Sequence, residues 1–454
     1  ARIARELGQT KPVVALKSGR GARDIAVDAM FRSAGVIRVD TLSQLFETAQ
    51  LLAVQPLPAG PRVGIVGTSS ALAALAVDAC AAAGLSVVSL SEELQARLAT
   101  PEAANPVDLG PLATGEQLAA ALRLVAGSGE VDAVIALVTP NASSMGAAVR
   151  SAVGHVPVLA SYLGHDGVAA ELAVAEGEEA AGRGSVPSYA SPEDAAAALG
   201  RAVAYATWKA RPLGEVPALE VQPVDLSAMP HDGSWLPGAG VVLAPYGLSP
   251  WPTGRAENAS AARDLADQFG WPVALKSPDD AWRNRVDVGA VRLAVEPSSL
   301  DAEWASLQDL LGATDLLVQP MAPPGVSTVV RLVQDASVGP LISLRLGGVA
   351  ADLLADPVVR TLPLTDLDAA ELVRSIRGFA LLEGHDIAAL EDVLHRVAQI
   401  GEDLPAVAEV LLDPVLVHHS GVTLLHAGVR LLPPAENPED FARRLVGTGA
   451  AHLR

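Results

Sequence analysis

Residues 270–293, GWPVALKSPDDAWRNRVDVGAVRL, constrain this chain more than any other stretch. Trp271–Lys276 is a short apolar run that ends in one lysine, the pattern of a buried strand. Ser277–Asp287 is a polar loop rich in Asp, Asn and Arg. Val288–Leu293 resumes strand character, and Gly289 permits a close backbone approach. A lysine at a strand end beside such a loop suits a nucleotide phosphate. The ammonium is a compact positive charge, and loop N–H groups can wrap an anion. The competing reading is a solvated lysine on an edge strand.

Around this stretch, short apolar runs alternate with helical periodicity, which predicts an α/β fold with parallel, doubly wound sheets. Residues 1–55 read as helix, strand (Lys11–Lys17), helix (Asp24–Ala34), strand (Val36–Val39) and a Thr41-capped helix to Val54. Arg62–Gly67 is a strand, and a helix runs from the Thr68–Ser70 turn to Ala83. Ser69 and Ser70 either cap that helix or present hydroxyls to an anion at its N-terminus. Strands follow at Ser86–Leu90, Ala133–Val138 and Val156–Ala160, with a helix over 142–153. Asn105-Pro106-Val107-Asp108-Leu109 is expected to form an Asx turn that shapes a loop at a strand end. Ser191 caps a long helix, Pro192 to Lys209. Pro212–Gly240 is proline- and glycine-rich and reads as a linker. Beyond it lie a helix (Asn258–Phe269), a strand and hinge (Asp315–Met321), paired strands (326–335, 341–346) and helices (366–377, 386–402). Closing strands (Glu409–Val417, Val422–Val429) and a terminal helix from Pro438 to Val446 complete the pattern.

Charge excludes one class of partner. With 52 acidic against 32 basic residues, the net charge of −20 opposes a nucleic acid, whose binding needs a positive surface. No apolar run approaches the roughly 18 residues of a membrane span. A single cysteine, Cys80, rules out an intramolecular disulfide framework and fits a cytoplasmic protein; on its alanine-rich face it reads as inert core. The chain opens without Met inside a helical pattern, so a longer polypeptide is expected.

The motifs in order resemble those of the NDP-forming acyl-CoA synthetase family, that is, acetate–CoA ligase (ADP-forming) and succinyl-CoA synthetase-like proteins. The resemblance rests on Tyr246-Gly247-Leu248, on Gly270–Lys276 and Asp287–Leu293, and on Gly347–Leu354. It extends to Lys11–Arg20, to Ala34–Asp40 and to Asn105-Pro106-Val107-Asp108-Leu109, and so covers nearly the whole chain. It implies flavodoxin-like (succinyl-CoA synthetase-like) domains followed by an ATP-grasp domain. The expected boundaries are 1–55 for the end of one CoA-ligase domain, 62–211 for a second, 212–240 for the linker, 241–434 for the ATP-grasp part and 435–454 for a C-terminal helix and tail. The implied ligands are ATP or ADP, Mg2+, and CoA or acyl-CoA. Lys276 would meet phosphate, and the hinge Gln319, Pro320 and Met321 would read adenine through backbone groups. Glu409, Asp413 and Asp352 would supply metal oxygens. A homo-oligomer is compatible with the family.

Several family positions differ here. The small-residue loop that carries the phosphorylated histidine is absent between Ser18-Gly19-Arg20 and the following helix, and no histidine precedes His155. The transfer step needs a neutral imidazole as nucleophile, which neither serine nor arginine replaces. His426 stands where the family has a metal-binding aspartate, Ser327 where it has an acid after the hinge, and Asp413 replaces an asparagine. His418-His419 reads as a solvated turn rather than a metal pair. No catalytic residue is therefore assigned. The resemblance extends to the synthetase-like region of bacterial protein lysine acetyltransferases that carry a GNAT domain. It implies a degenerate module that binds nucleotide or acyl-CoA and regulates a covalently linked GNAT domain, with a CoA-binding domain also attached. The alternative is an active ADP-forming acetate/acyl-CoA ligase whose phosphohistidine loop is absent from this chain.

Overall fold

A computed structural model describes residues 2–17, 22–98, 100, 103–138, 145–162, 166–176, 180–279, 281–282, 285–336, 338–348 and 357–433. The chain forms two compact units, residues 1–24 with 31–212, and residues 25–30 with 213–454. Asp352, Arg283-Asn284 and the expected terminal helix at 438–446 lie outside the described residues.

In the first unit, strands β1 (Val13–Leu16) and β2 (Val36–Val39) pair in parallel. The main sheet is parallel throughout. It contains β3 (Arg62–Gly67), β4 (Ser86–Val87), β5 (Val107–Asp108), β6 (Ala133–Val138), β7 (Val158–Tyr162) and β8 (Ser188–Tyr189), in the order β8-β7-β6-β3-β4 with β5 also on β3. Every residue of β6 is buried, because helices cover both sheet faces. On one face Val63, Ile65, Ile135 and Leu137 meet α1 (Leu42–Val54), α2 (Ser70–Ala82) and α3 (Pro192–Ala210). On the other, Val66, Val134 and Ala136 meet the helices Glu92–Leu98, Gly115–Ala126 and Met145–Arg150. The α/β, doubly wound expectation describes this unit.

The Asx turn expected over 105–109 is present, but Asn105 is not the residue that makes it. Its Nδ2 donates to the carbonyls of Val63 (2.7 Å) and Val88 (2.8 Å), and its Oδ1 accepts from Ile65 N–H (2.9 Å). The Asx turn belongs to Asp108, whose Oδ1 accepts from Gly110 N–H at 2.8 Å. Asn105 is thus a strut that ties its loop to β3 and to the segment after β4.

The second unit has two antiparallel sheets. The smaller contains β9 (Gly254–Ala256), β10 (Val273–Lys276), β11 (Val291–Val295) and β12 (Leu316–Pro320), ordered β9-β12-β10-β11. Helices α4 (Ala259–Phe269) and α5 (Leu300–Leu311) cover one face through Ala262, Ala266, Trp304 and Leu307. The strand expected at Val288–Leu293 begins at Val291, because 286–289 turn first. The larger sheet contains β13 (Val326–Asp335), β14 (Gly339–Leu346), β15 (Val358–Thr361), β16 (Val407–His418), β17 (Gly421–Leu424) and β18 (Ala427–Leu431). Its core face meets α6 (Asp366–Arg374) and α7 (Ile387–Asp403). Residues 213–239 form no helix or strand but are not a free tether. Val221, Val224, Leu226 and Met229 pack on this core, and the His231 ring bonds the carbonyls of Leu226 and Leu432.

Candidate nucleotide site

In the smaller sheet, Val273, Leu275, Leu316 and Val318 enter the core with the helices. Strand alternation therefore sends Ala274, Lys276, Leu317 and Gln319 to the opposite face. Ala274 is paired with Gln319 and Lys276 with Leu317, so Lys276 and Gln319 are diagonal neighbours. Both are buried, at 7% and 2% exposure. The Lys276 ammonium donates to Gln319 Oε1 at 2.5 Å. Gln319 Nε2 donates to Thr253 Oγ1 and to the Leu425 carbonyl, each at 2.9 Å. With both amide hydrogens engaged by oxygens, the carbonyl end has to face the lysine, which fixes the amide orientation chemically. The solvated edge-strand reading of Lys276 does not survive this geometry.

The same network links the two sheets. Trp251 receives the chain from a bridge between Pro250 and Leu424, donates its N–H to the Leu424 carbonyl (2.7 Å) and its Nε1–H to the Pro320 carbonyl (2.9 Å). The Pro320 carbonyl is therefore engaged by an indole. Met321 lies just past β12, and its sulfur accepts from Ala294 N–H at 3.4 Å. Ala294 itself holds φ of +54°, a left-handed conformation uncommon for a residue with Cβ. Trp251 and Thr253 carry this junction, and sequence reasoning passed over them because a W-P-T run has no periodicity to flag it.

The expected metal residues are differently engaged. Glu409 is 3% exposed. One carboxylate oxygen accepts from Arg331 Nε at 2.5 Å, and the other forms a close ion pair with Arg430. A carboxylate held by two guanidiniums is a poor magnesium ligand, so the structure gives Glu409 a different task from the one expected. Asp413 sits half-buried on β16, its N–H bonded to the His426 carbonyl at 3.1 Å. Asp352 lies outside the described residues. Among the described residues no group of three His, Cys, Asp or Glu is placed to hold a metal ion.

Ser69 is the N-cap of α2, with Oγ accepting from Leu72 N–H at 3.5 Å, and Ser70 is its exposed first residue. His418 is buried rather than solvated, between the Pro324 carbonyl (3.1 Å) and Thr423 Oγ1 (2.7 Å). His419 stacks on His385 with ring centroids 4.6 Å apart. Tyr246 donates its hydroxyl to Asp403 (3.2 Å), and burial followed by that carboxylate's charge raises its pKa.

Comparison with known proteins places these features. A family model of the ATP-grasp domain matches residues 234–431. Acetate–CoA ligase (ADP-forming) I of Archaeoglobus fulgidus is 29% identical over 93% of this chain and 67% of its own length. The 4-hydroxybutyrate–CoA ligase (ADP-forming) of Nitrosopumilus maritimus is 26% identical over 90% of this chain and 65% of its own. The chain thus spans about two thirds of the length of these relatives. A solved chain of a Ca. Korarchaeum cryptofilum dinucleotide-forming acetyl-coenzyme A synthetase, in complex with coenzyme A and Ca-AMPCP, is 27% identical with a TM-score of 0.38, covering 42% of this chain and 90% of that one. Over about nine tenths of its length, the chain is thus similar to the ADP-forming acyl-CoA ligase, or NDP-forming acyl-CoA synthetase, family.

Proposed function

We propose that this chain is a nucleotide-binding module of the acyl-CoA synthetase type, binding ATP or ADP in its ATP-grasp domain and CoA or acyl-CoA through its α/β parts. The observation that carries the reading is the buried Lys276–Gln319 pair on the sheet face opposite the helices Ala259–Phe269 and Leu300–Leu311, locked to Thr253 and Leu425. A lysine held buried in one geometry loses little conformational entropy on meeting a phosphate. The relatives are by name CoA ligases that form ADP, which agrees with this ligand pair. Magnesium would enter with the nucleotide phosphates, for which one protein carboxylate and water suffice; Asp413 is the candidate and Glu409 is not.

The finer reading is a module that does not complete the ligase cycle and instead regulates a linked GNAT acetyltransferase. It is supported by the absence of histidine from residues 1–154, where the family's phosphoryl carrier would stand. The second reading is an active ligase whose histidine loop is supplied outside this chain. Calorimetry with Mg-ATP tests the first step: binding in the wild type and its loss in Lys276→Ala are expected, and no binding in either protein would sink the nucleotide reading. Incubation with acetate, CoA and ATP then separates the two finer readings. Acetyl-CoA formed with ADP favours the ligase. No turnover by the full-length product of the encoding gene, with binding intact, favours the regulatory module, since this chain by itself lacks the carrier histidine under either reading.

A further inference from the structure

On the larger sheet, Val330 and Leu332 of β13, Val410 and Leu412 of β16, and Val429 and Leu431 of β18 enter the core. Alternation sends Arg331, Glu409 and Arg430 together to the opposite face. Glu409 and Arg430 are direct partners in register, and Arg331 lies diagonally across. Trp235 covers their end, with the Arg430 guanidinium 5.4 Å from its ring centroid. A Cβ at Gly428 would come within 2.9 Å of that ring, so glycine is what lets the indole lie flat there.

We propose that Arg331 and Arg430, braced by Glu409, form an anion-binding patch that takes the terminal phosphates of a polyphosphate without a divalent cation. The identification of that polyphosphate as the bound nucleotide rests on the nucleotide reading above. Stability does not account for the triad. Apolar residues of similar volume often replace a buried Arg–Glu–Arg group at no loss, and the two cations repel across one carboxylate. The group carries one surplus positive charge in a chain of net charge −20. Arg331 gives Glu409 only its Nε–H, and among the described residues its terminal N–H groups meet no acceptor. Its side chain is 49% exposed and that of Arg430 40%. Arg430 keeps a buried Nε–H with no acceptor among the described residues. Guanidinium forks match phosphate oxygens in a way that lysine does not. Position agrees as well. Glu409 lies four residues before Asp413 on β16, roughly 13 Å along the strand. Asp413 pairs by backbone with His426, next to the Leu425 carbonyl that holds Gln319. Leu425, His426 and Asp413 thus connect the Lys276 network to the strand that carries the triad.

The test is calorimetric titration of the whole chain with sodium tripolyphosphate in EDTA. The wild type is expected to bind, and Arg331→Gln/Arg430→Gln to bind at least about tenfold more weakly, with Arg331→Lys/Arg430→Lys between them. A wild type that binds only when magnesium is added, or does not bind, overturns the proposal, as does an unchanged double variant. Should the double variant fail to fold, phenylglyoxal labelling of the wild type followed by mass spectrometry replaces it. Tripolyphosphate is expected to slow labelling of Arg331 and Arg430 selectively, and equal labelling with and without it overturns the proposal. ATP binding that needs Lys276 but ignores both arginines would leave the nucleotide reading standing and remove this one.

Discussion

Lys276 and Gln319 lie on two adjacent strands, with ammonium and amide oxygen 2.5 Å apart and both side chains buried. The lysine at the end of an apolar strand is held by a neutral acceptor and not by a carboxylate at that contact. The glutamine in turn is held by Thr253 and the Leu425 carbonyl.

Gln319→Glu reverses that logic. The carboxylate would attract Lys276 more strongly but has no hydrogen to give Thr253 or Leu425, leaving a buried carbonyl facing an anion. Unfolding measured by denaturant titration should show a loss of about 1–3 kcal/mol. Nucleotide affinity should fall as well, since the ammonium becomes neutralised. An unchanged midpoint would mean that the Leu425 contact contributes nothing.

Asn105→Asp keeps the oxygen that accepts from Ile65 but removes both donors to Val63 and Val88. The loop after β4 should then be destabilised by about 1–3 kcal/mol. Hydrogen exchange should rise in the strand Arg62–Gly67 first, and protection there equal to wild type would contradict the strut role.

Asp132 accepts from the Arg62 backbone N–H and Nε at 3.0 Å each and from Nη2 at 2.7 Å. These bonds hold its carboxyl below the ordinary aspartate range. The folded pKa is depressed, so the stabilisation is present above the unfolded value of about 3.9 and is lost as pH falls through the folded pKa. Asp132→Asn should therefore be less stable than wild type at pH 7. The gap should close below about pH 4 in thermal melts across that range. A gap constant with pH would remove the carboxylate from the account.

Cys80 is fully buried among the α2 alanines, and burial pushes its thiol pKa up to about 11. At neutral pH the thiolate needed for reaction is scarce and shielded. Ellman's reagent should leave the native protein unmodified and label it rapidly in guanidinium chloride. Fast labelling of the native chain would show that α2 opens readily.

The α/β class, the strand runs at 62–67, 133–138, 273–276 and 316–320, and the family were all carried by local pattern. A strand buried on both faces is continuously apolar, and a cap or a motif needs only neighbours along the chain. Lys276 was legible for the same reason, as the one charge closing an apolar run. What the sequence by itself could not determine was who meets whom across strands. Arg331 is one charge inside a largely apolar strand, Trp251 and Thr253 sit in an aperiodic run, and Gly428 carries no side chain at all. Glu409 matched a motif and so read as a metal ligand, but register sets it beside Arg430 and diagonal to Arg331, and those guanidiniums occupy its oxygens. Asn105 read as a local turn former until β3 and the segment after β4 came within reach of its amide. Local order follows from short-range sterics and periodicity, whereas the partners of a polar side chain depend on strand pairing between residues tens to more than a hundred positions apart, which only the tertiary structure decided.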